Sequence, residues 1–138
     1  MRHCRRAGLI DDLGPARTSA LRLIGAPDRA SRGVREPPGL HLYGTDAAIV
    51  QGLPGAHREL VPGLTEAMIR FAVRYEQART VEDILARRSR LLFLDAETAV
   101  SVAAAVAEVL DEELGPGILA PDGVDEFVKL ASRYASPP

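Results

Sequence analysis

The chain is poor in cysteine and aromatic residues, and each shortage excludes a class of protein. Cys4 is the only cysteine, so no disulfide can form within the chain, and no Cys or His pair has the spacing of zinc ligands. A single cysteine favours a reducing compartment, and we expect a cytoplasmic protein. Tryptophan is absent, and aromatics are 4% of the residues against 46% hydrophobic, so small aliphatic side chains must build the core.

Long apolar runs and a strong charge excess are also absent. No stretch approaches the roughly twenty residues that a transmembrane helix needs, and the first residues lack the apolar segment of a secretory signal. The net charge is −2, with one lysine among 17 basic residues. Because the arginines alternate with acidic residues and form no basic block, we do not expect nucleic-acid binding.

The first 39 residues are the least regular part of the chain. Residues 1–14 predict a short helix. Residues 17–26 contain an alternating apolar pattern at residues 20–24 and predict an extended strap. Residues 27–39 are rich in Arg, Pro, Gly and Ser and predict a loop or linker. The consecutive prolines Pro37 and Pro38 forbid a helix there.

The next segment predicts a short helix followed by a loop. Thr45 is a candidate N-cap, because its hydroxyl can accept a hydrogen bond from a free backbone N–H of the first turn. The helix is expected to end near Gly52 or Pro54. Residues 54–63 contain two prolines and two glycines and predict a second loop. The side chains that this helix would turn inward are Ala48, Ile49 and Leu53.

Two further helices begin with capping signals. Thr65 caps a helix that runs to about Gln77, with apolar residues recurring on one face. Thr80 and Asp83 form a capping-box pattern, in which each side chain reaches the other residue's backbone N–H. The predicted buried positions of these two helices are Met68, Ile69, Ala72, Val73, Val81, Ile84 and Leu85.

The last two helices have the clearest patterns. Asp95 opens a helix over about 96–114, which Gly115 ends, and another helix runs over about 122–134. No segment beyond the strap predicts a sheet. We therefore expect an all-α fold, a small orthogonal bundle of about five helices with an extended N-terminal strap. The predicted inward positions are Ala99, Val102, Ala103, Val106, Val109, Leu110, Leu114, Val124, Phe127, Leu130, Ala131 and Tyr134.

Three arginines, Arg87, Arg88 and Arg90, form a cluster. Guanidinium groups bind carboxylates and phosphates through paired hydrogen bonds, so the cluster could be an anion site. Consecutive helical residues point about 100° apart, however, so the three side chains cannot converge on one ligand. We favour ion pairs that join neighbouring helices. The candidates for ion pairs or anion contacts are Arg79, Arg87, Arg88, Arg90, Glu66, Glu76, Glu82 and Asp83.

No complete catalytic site is predicted. The run Asp111-Glu112-Glu113 diverges around a helix and is interpreted as a solvated helix end. The glycines match neither GxGxxG nor GxxxxGK[ST], and no serine lies in the strand–turn–helix setting of a nucleophile. We therefore expect no catalytic, cofactor-binding or metal-binding residue in this chain.

Five motifs follow one another along the chain. They are Arg17–Ala26, Leu42–Thr45, Glu66, Glu76–Thr80 and Asp83–Leu91. The last reads Asp-Ile-Leu-Ala-Arg-Arg-Ser-Arg-Leu and is the most specific. In this order the motifs resemble the C-terminal helical domain of the FAD-dependent glycerol-3-phosphate dehydrogenases, over roughly residues 17–134.

The resemblance implies a domain without chemistry of its own. In the family, this helical cap is appended to a large portion that binds FAD and oxidises glycerol 3-phosphate to dihydroxyacetone phosphate, passing electrons to membrane quinone. The full enzyme lies peripherally on the inner membrane face. Residues 1–39 would then be the end of the FAD domain, the strap and a linker, and residues 40–138 the cap. The implied partner is the FAD and substrate domain, and FAD would not be held by this chain.

The N-terminus departs from the family pattern. The Gly-Gly-Lys-x-Thr-Thr-Tyr-like segment that contacts flavin in the family has no counterpart, so we expect a truncated gene, an alternative start or a cloned domain.

A second interpretation of the chain is a small helical interaction or regulatory protein that docks on a flavoprotein. The strap residues Leu21, Leu23 and Ile24 would need a neighbour to cover them. The sequence leaves open whether the chain forms a homo-oligomer.

Overall fold

The structure is a computed structural model, and it describes residues 6–8, 18–21, 23, 25–26, 38–115, 117–118 and 123–135. The helix predicted for residues 1–14 lies almost wholly outside these ranges, as does the linker predicted for residues 27–39, of which only residues 38 and 39 are described. Two 3₁₀ helices, Thr18–Ala20 and Leu40–Asp46, precede the main elements. In chain order the others are α1 (Ala47–Gln51), β1 (Glu59–Val61), β2 (Leu64–Thr65), α2 (Glu66–Glu76), a π-helix (Asp83–Arg88), α3 (Leu91–Leu94), α4 (Ala96–Leu114) and α5 (Gly123–Ala135).

The all-α prediction is confirmed, and α4 is its centre. Helices α2, α3 and α5 each pack against α4. The inward face of α4 carries small aliphatic residues, which let the neighbouring helices approach closely. The largest fully buried side chains are Ile69, Ile84, Leu85, Leu92, Leu110, Val50, Val81 and Val106.

The N-terminal strap is only partly described. Thr18–Ala20 forms a single 3₁₀ turn where extended chain was expected. Leu21 and Leu23 are exposed, and Ile24 lies outside the described residues. The end of the strap lies on the bundle, because the backbone N–H of Thr45 donates to the carbonyl of Gly25 at 3.0 Å.

The prediction that Thr45 caps a helix is wrong. The segment Leu40–Asp46 is kinked at Gly44, where φ is 54° and ψ is −121°, and Thr45 directly follows the kink. Its hydroxyl donates to the Asp46 carboxylate at 3.4 Å and caps no described backbone N–H. The predicted inward face of α1 is also wrong, since Val50 is the buried residue. Five residues are too few to establish a helical period, so the sequence could not fix which face turns inward. Ala48 and Ile49 are exposed, and Leu53 packs at the edge of the core.

A β-hairpin occupies part of the segment that was predicted to be a loop. Strand β1 pairs antiparallel with β2, and Pro62 and Gly63 form the turn between them. Strands of three and two residues show no measurable alternation of apolar side chains, which is why the sequence pattern missed them. The hairpin leads directly into α2 and fixes where that helix starts.

The helix starts predicted at Thr65 and Thr80 are confirmed. The Thr65 hydroxyl accepts a hydrogen bond from the Met68 backbone N–H at 3.4 Å. In the capping box, the Asp83 N–H donates to the Thr80 hydroxyl at 3.0 Å, and the Thr80 N–H donates to the Asp83 carboxylate at 3.1 Å. All seven positions predicted to be buried in these two helices are buried. The π-helical turn after the box was not predicted.

The two C-terminal helices follow the predicted bounds closely. Asp95 caps α4 by accepting a hydrogen bond from the Thr98 N–H at 2.9 Å, and Gly115 ends the helix with φ 91°. In α5, Phe127 and Ala131 are buried as predicted. Tyr134 was expected in the core and is instead exposed, packing edge-to-face on Phe93 with ring centroids 5.4 Å apart. Within the described part of the chain, no helix is long and apolar enough to cross a membrane.

Gly63 gives a direct test of the hairpin turn. Its φ is +84°, and a Cβ there would lie 2.5 Å from the carbonyl oxygen of Pro38. We expect Gly63→Ala to lower the free energy of unfolding by about 1–3 kcal/mol, because both the backbone conformation and the backbone neighbour oppose a side chain. The measurement is urea unfolding followed by circular dichroism.

Gly52→Ala is the matched control. Gly52 has a helical φ of −79°, and the atoms nearest to an added Cβ lie at 3.5 Å or beyond. This variant should be neutral or more stable by up to about 1 kcal/mol. Equal stability of the two alanine variants would contradict the turn geometry described here.

Candidate functional site

The arginine cluster lies where the π-helix ends. Ser89 closes that turn, because its hydroxyl donates to the carbonyls of Ile84 at 3.0 Å and Leu85 at 3.3 Å. Arg90 follows in the left-handed conformation, with φ 60°, which is uncommon for a residue other than glycine. The reversal of the chain at Arg90 starts α3 and turns this part of the cluster toward a cavity.

The three arginines take separate directions. Arg87 forms ion pairs with Glu82 at 2.7 Å and Asp83 at 2.8 Å. Arg88 reaches back to α2, where its Nε lies 2.8 Å from the Glu76 carboxylate and its Nη2 donates to the Glu76 carbonyl at 2.6 Å. Arg90 forms no ion pair with a described residue.

Two other predicted site residues lie away from the cluster. Arg79 donates from its guanidinium to the carbonyls of Ala78 at 3.1 Å and Val73 at 3.4 Å, and its backbone N–H donates to Asp83 at 3.0 Å. Glu66 is buried and pairs with Arg58, at 3.0 Å, and has no contact with Arg87, Arg88 or Arg90. The structure therefore pairs Glu76 with Arg88, and Glu82 and Asp83 with Arg87. Glu66 lies apart from these pairs.

An apolar cavity of about 340 Å³ opens beside the cluster. Its floor reaches the core at Met68, Ala72 and Ile84, while Arg88, Ser89 and Arg90 line one side. Most of its lining is aliphatic, which suits an apolar group more than a phosphate. The residues around its mouth include Pro38, Gly39, Leu42, Tyr43, Val61, Leu91 and Leu94.

Tyr43 lies between this cavity and a second one that also includes Leu42. Its ring packs edge-to-face on Phe71, with centroids 5.2 Å apart. Burial and, to a smaller extent, the negative charge of Glu76 raise the pKa of the Tyr43 hydroxyl to about 12, and Arg88 opposes the shift. The hydroxyl therefore stays protonated at neutral pH and can act only as a neutral hydrogen-bonding group.

A second ion-pair group was missed by sequence reasoning. Arg70 and Arg74 on α2 bind the acidic end of α4: Arg70 bonds Glu112 at 2.6 Å and Glu113 at 2.8 Å, and Arg74 bonds Glu113 at 2.6 and 2.7 Å. The interpretation of residues 111–113 as a solvated helix end is therefore wrong for Glu113, whose side chain is 8% exposed. The available signal was the i, i+4 spacing of the two arginines on one helix face.

The described residues hold no recognisable catalytic or metal centre. No group of three or more His, Cys, Asp or Glu side chains among them could bind a metal ion. Arg88 of the cluster is held in an ion pair with α2, and Arg87 pairs with carboxylates of its own helical turn. At the end of α4, Glu112 and Glu113 are held by arginines of α2. What the described site offers is an apolar cavity with exposed leucines around it, in a small helical domain.

The chain belongs to the family described as the C-terminal domain of alpha-glycerophosphate oxidase, whose model matches residues 39–116. It is 47% identical over 51 residues to the mitochondrial glycerol-3-phosphate dehydrogenase of Schizosaccharomyces pombe. It is 42% identical over 64 residues to the probable mitochondrial glycerol-3-phosphate dehydrogenase of Dictyostelium discoideum. These matches cover 37% and 43% of this chain, but 8% and 10% of the relatives. No solved structure matches the chain significantly.

The ion pairs at Glu113 predict a stability difference between two adjacent carboxylates. Glu113→Ala would leave Arg70, whose side chain is 12% exposed, without its buried partner, and should lower the free energy of unfolding by about 2–3 kcal/mol. Glu112→Ala removes a carboxylate that is 61% exposed and should cost under about 1 kcal/mol. Chemical denaturation of both variants checks this, and a larger loss for Glu112→Ala would refute it.

The same carboxylate predicts a pH dependence. Hydrogen bonds from Arg74 hold the pKa of Glu113 below its ordinary value; burial opposes this shift, and bonds from Arg70 add to it. Its stabilising contribution should thus be full above the unfolded-state pKa, about 4.3, and be lost as the pH falls through the folded-state pKa. The stability gap between the natural chain and Glu113→Gln should be wide at about pH 7 and shrink by about pH 3. A gap that is constant over this range would contradict the assignment.

Proposed function

We propose that this chain is the C-terminal cap domain of an FAD-dependent glycerol-3-phosphate dehydrogenase, and that it is not catalytic by itself. In the complete enzyme the reaction would be the oxidation of glycerol 3-phosphate to dihydroxyacetone phosphate. The observation that carries the proposal is the family match over residues 39–116, with the names printed for the two relatives. The cap would act by packing against the catalytic portion.

The structure supports a packing role by what its side chains do. The described helices share one hydrophobic core, in which α4 packs against three other helices. Large apolar side chains nevertheless remain at the surface, among them Leu21, Leu23, Leu42 and Leu94. Exposed leucines beside a cavity are typical of a protein interface.

We assign FAD to the portion of the enzyme that precedes this domain. The proposed division places the end of that portion, the strap and the linker in residues 1–39, and the cap in residues 40–138. The start of the family match at residue 39 supports this boundary. The partner of the cap is then the FAD and substrate domain.

We also propose that the enzyme works on the cytoplasmic side and lies peripherally on the inner membrane face. The single cysteine supports a reducing compartment. Both relatives are named as mitochondrial proteins, and a mitochondrial location is therefore the alternative to the cytoplasmic side. Cell fractionation that finds the chain inside mitochondria would overturn the cytoplasmic assignment.

Purification and a domain exchange test the functional proposal. The isolated chain should show no flavin absorbance and no oxidation of glycerol 3-phosphate. The fission-yeast relative carrying residues 39–138 of this chain in place of its own C-terminal domain should retain FAD and activity, while the same enzyme without any C-terminal domain should lose stability. Stoichiometric FAD with turnover on the isolated chain would contradict the proposal. An exchanged domain that rescues nothing would favour a separate regulatory protein.

A further inference from the structure

Three exposed leucines surround the two cavities that share Leu42 and Tyr43. Leu23 is 80% exposed, Leu42 69% and Leu94 71%. Leu23 lines the second cavity, Leu94 lines the first, and Leu42 lines both. We call Leu23, Leu42, Leu94 and Arg90 the Leu42 face. Its apolar side chains border an opening that leads to the core, so a partner's apolar side chain could fill the cavity.

The charge at the rim selects among partners. Arg88 is held by Glu76, whereas Arg90 lines the cavity and forms no ion pair with a described residue. The Leu42 face therefore offers a guanidinium that no described carboxylate pairs with, beside an apolar opening. A carboxylate is the group that such a guanidinium binds best, through two parallel hydrogen bonds.

The path of the chain places the preceding portion next to this face. Pro38 and Gly39 line the first cavity, and the family match begins at residue 39. Gly25 and Ala26 line the second cavity, and Gly25 is bonded to Thr45. The described chain thus meets the Leu42 face at two points, Gly25–Ala26 and Pro38–Gly39, and attachment at this face raises the effective concentration there of a portion that precedes the domain.

We infer that the Leu42 face receives the FAD-binding portion of the parent enzyme, which inserts an apolar side chain into the cavity and places a carboxylate against Arg90. The inference rests on the proposed function and adds the surface and the chemistry of its partner. A second copy of the chain or a membrane would cover the same leucines, but neither would be favoured by the entry of the chain at this point.

Cysteine labelling locates the docked face. In a Cys4→Ser background, Leu94→Cys places a thiol on the Leu42 face, and Ser101→Cys places one on the exposed side of α4, away from both cavities. Maleimide labelling rates are compared between the isolated 138-residue chain and the fission-yeast enzyme carrying residues 17–138, so that Leu23 of the Leu42 face is retained. We expect the residue-94 thiol to react at least about tenfold more slowly in the enzyme, and the residue-101 thiol to react equally in both.

The outcomes separate this inference from the proposed function. Protection at residue 101 with none at residue 94 would overturn the inference and leave the cap role intact. A folded enzyme with neither thiol protected would overturn both. If the fusion does not fold, the chain is co-expressed with the remaining portion of the relative and labelled in that complex. Protection at residues 94 and 101 is then interpreted in the same way.

Arginine variants test the charge. Arg90→Ala in the exchanged enzyme should restore fast labelling at residue 94. Arg87→Ala should not, because Arg87 pairs with Glu82 and Asp83 and lines neither cavity. Equal effects of the two variants would overturn the carboxylate assignment.

Labelling of the isolated chain should not change with protein concentration or with added phosphatidylglycerol vesicles. Slowing by either one would assign the face to a second copy or to a membrane.

Discussion

The close packing of helices on the small-residue face of α4 is the constraint on which the rest of the structure depends. Ala99, Ala103 and Val106 are fully buried there, and they bring α2 and α5 near the α4 backbone. With 4% aromatic residues and no tryptophan, the chain has few large side chains to fill wider gaps. The ion pairs from Arg70 and Arg74 to Glu113 hold the far end of the same α2–α4 contact.

This packing decides what the arginine motif does. The capping box at Thr80 and Asp83 fixes the start of the helical turn, and the π-helical segment sets the directions of the side chains that leave it. Arg87 and Arg88 are then used within the domain, and Arg90 is directed to the edge of the cavity. One short motif thereby joins two helices and also shapes an outer surface. In a domain of this family, we assign that surface to contact with the rest of the enzyme.

The sequence predicted those parts of the fold that have local physical causes. Caps at Thr65, Thr80 and Asp95 are hydrogen bonds within four residues, and the long period of α4 needs no partner to be recognised. The hairpin and the inward face of α1 depend on tertiary contacts, because each element is too short to carry a pattern. The role of Glu113 depends on Arg70, 43 residues earlier, and the cavity depends on segments from 38 to 94. No local sequence pattern indicates contacts between residues that lie so far apart in the chain.

The central claim is that this domain acts by docking through one face. The most direct test compares hydrogen exchange in the isolated chain with exchange in a complete enzyme that carries the chain. The account predicts that the complete enzyme slows exchange around residues 38–44 and 88–94, while the exposed side of α4 near residue 104 exchanges as in the isolated chain. Slower exchange confined to α4, or none anywhere, would contradict it.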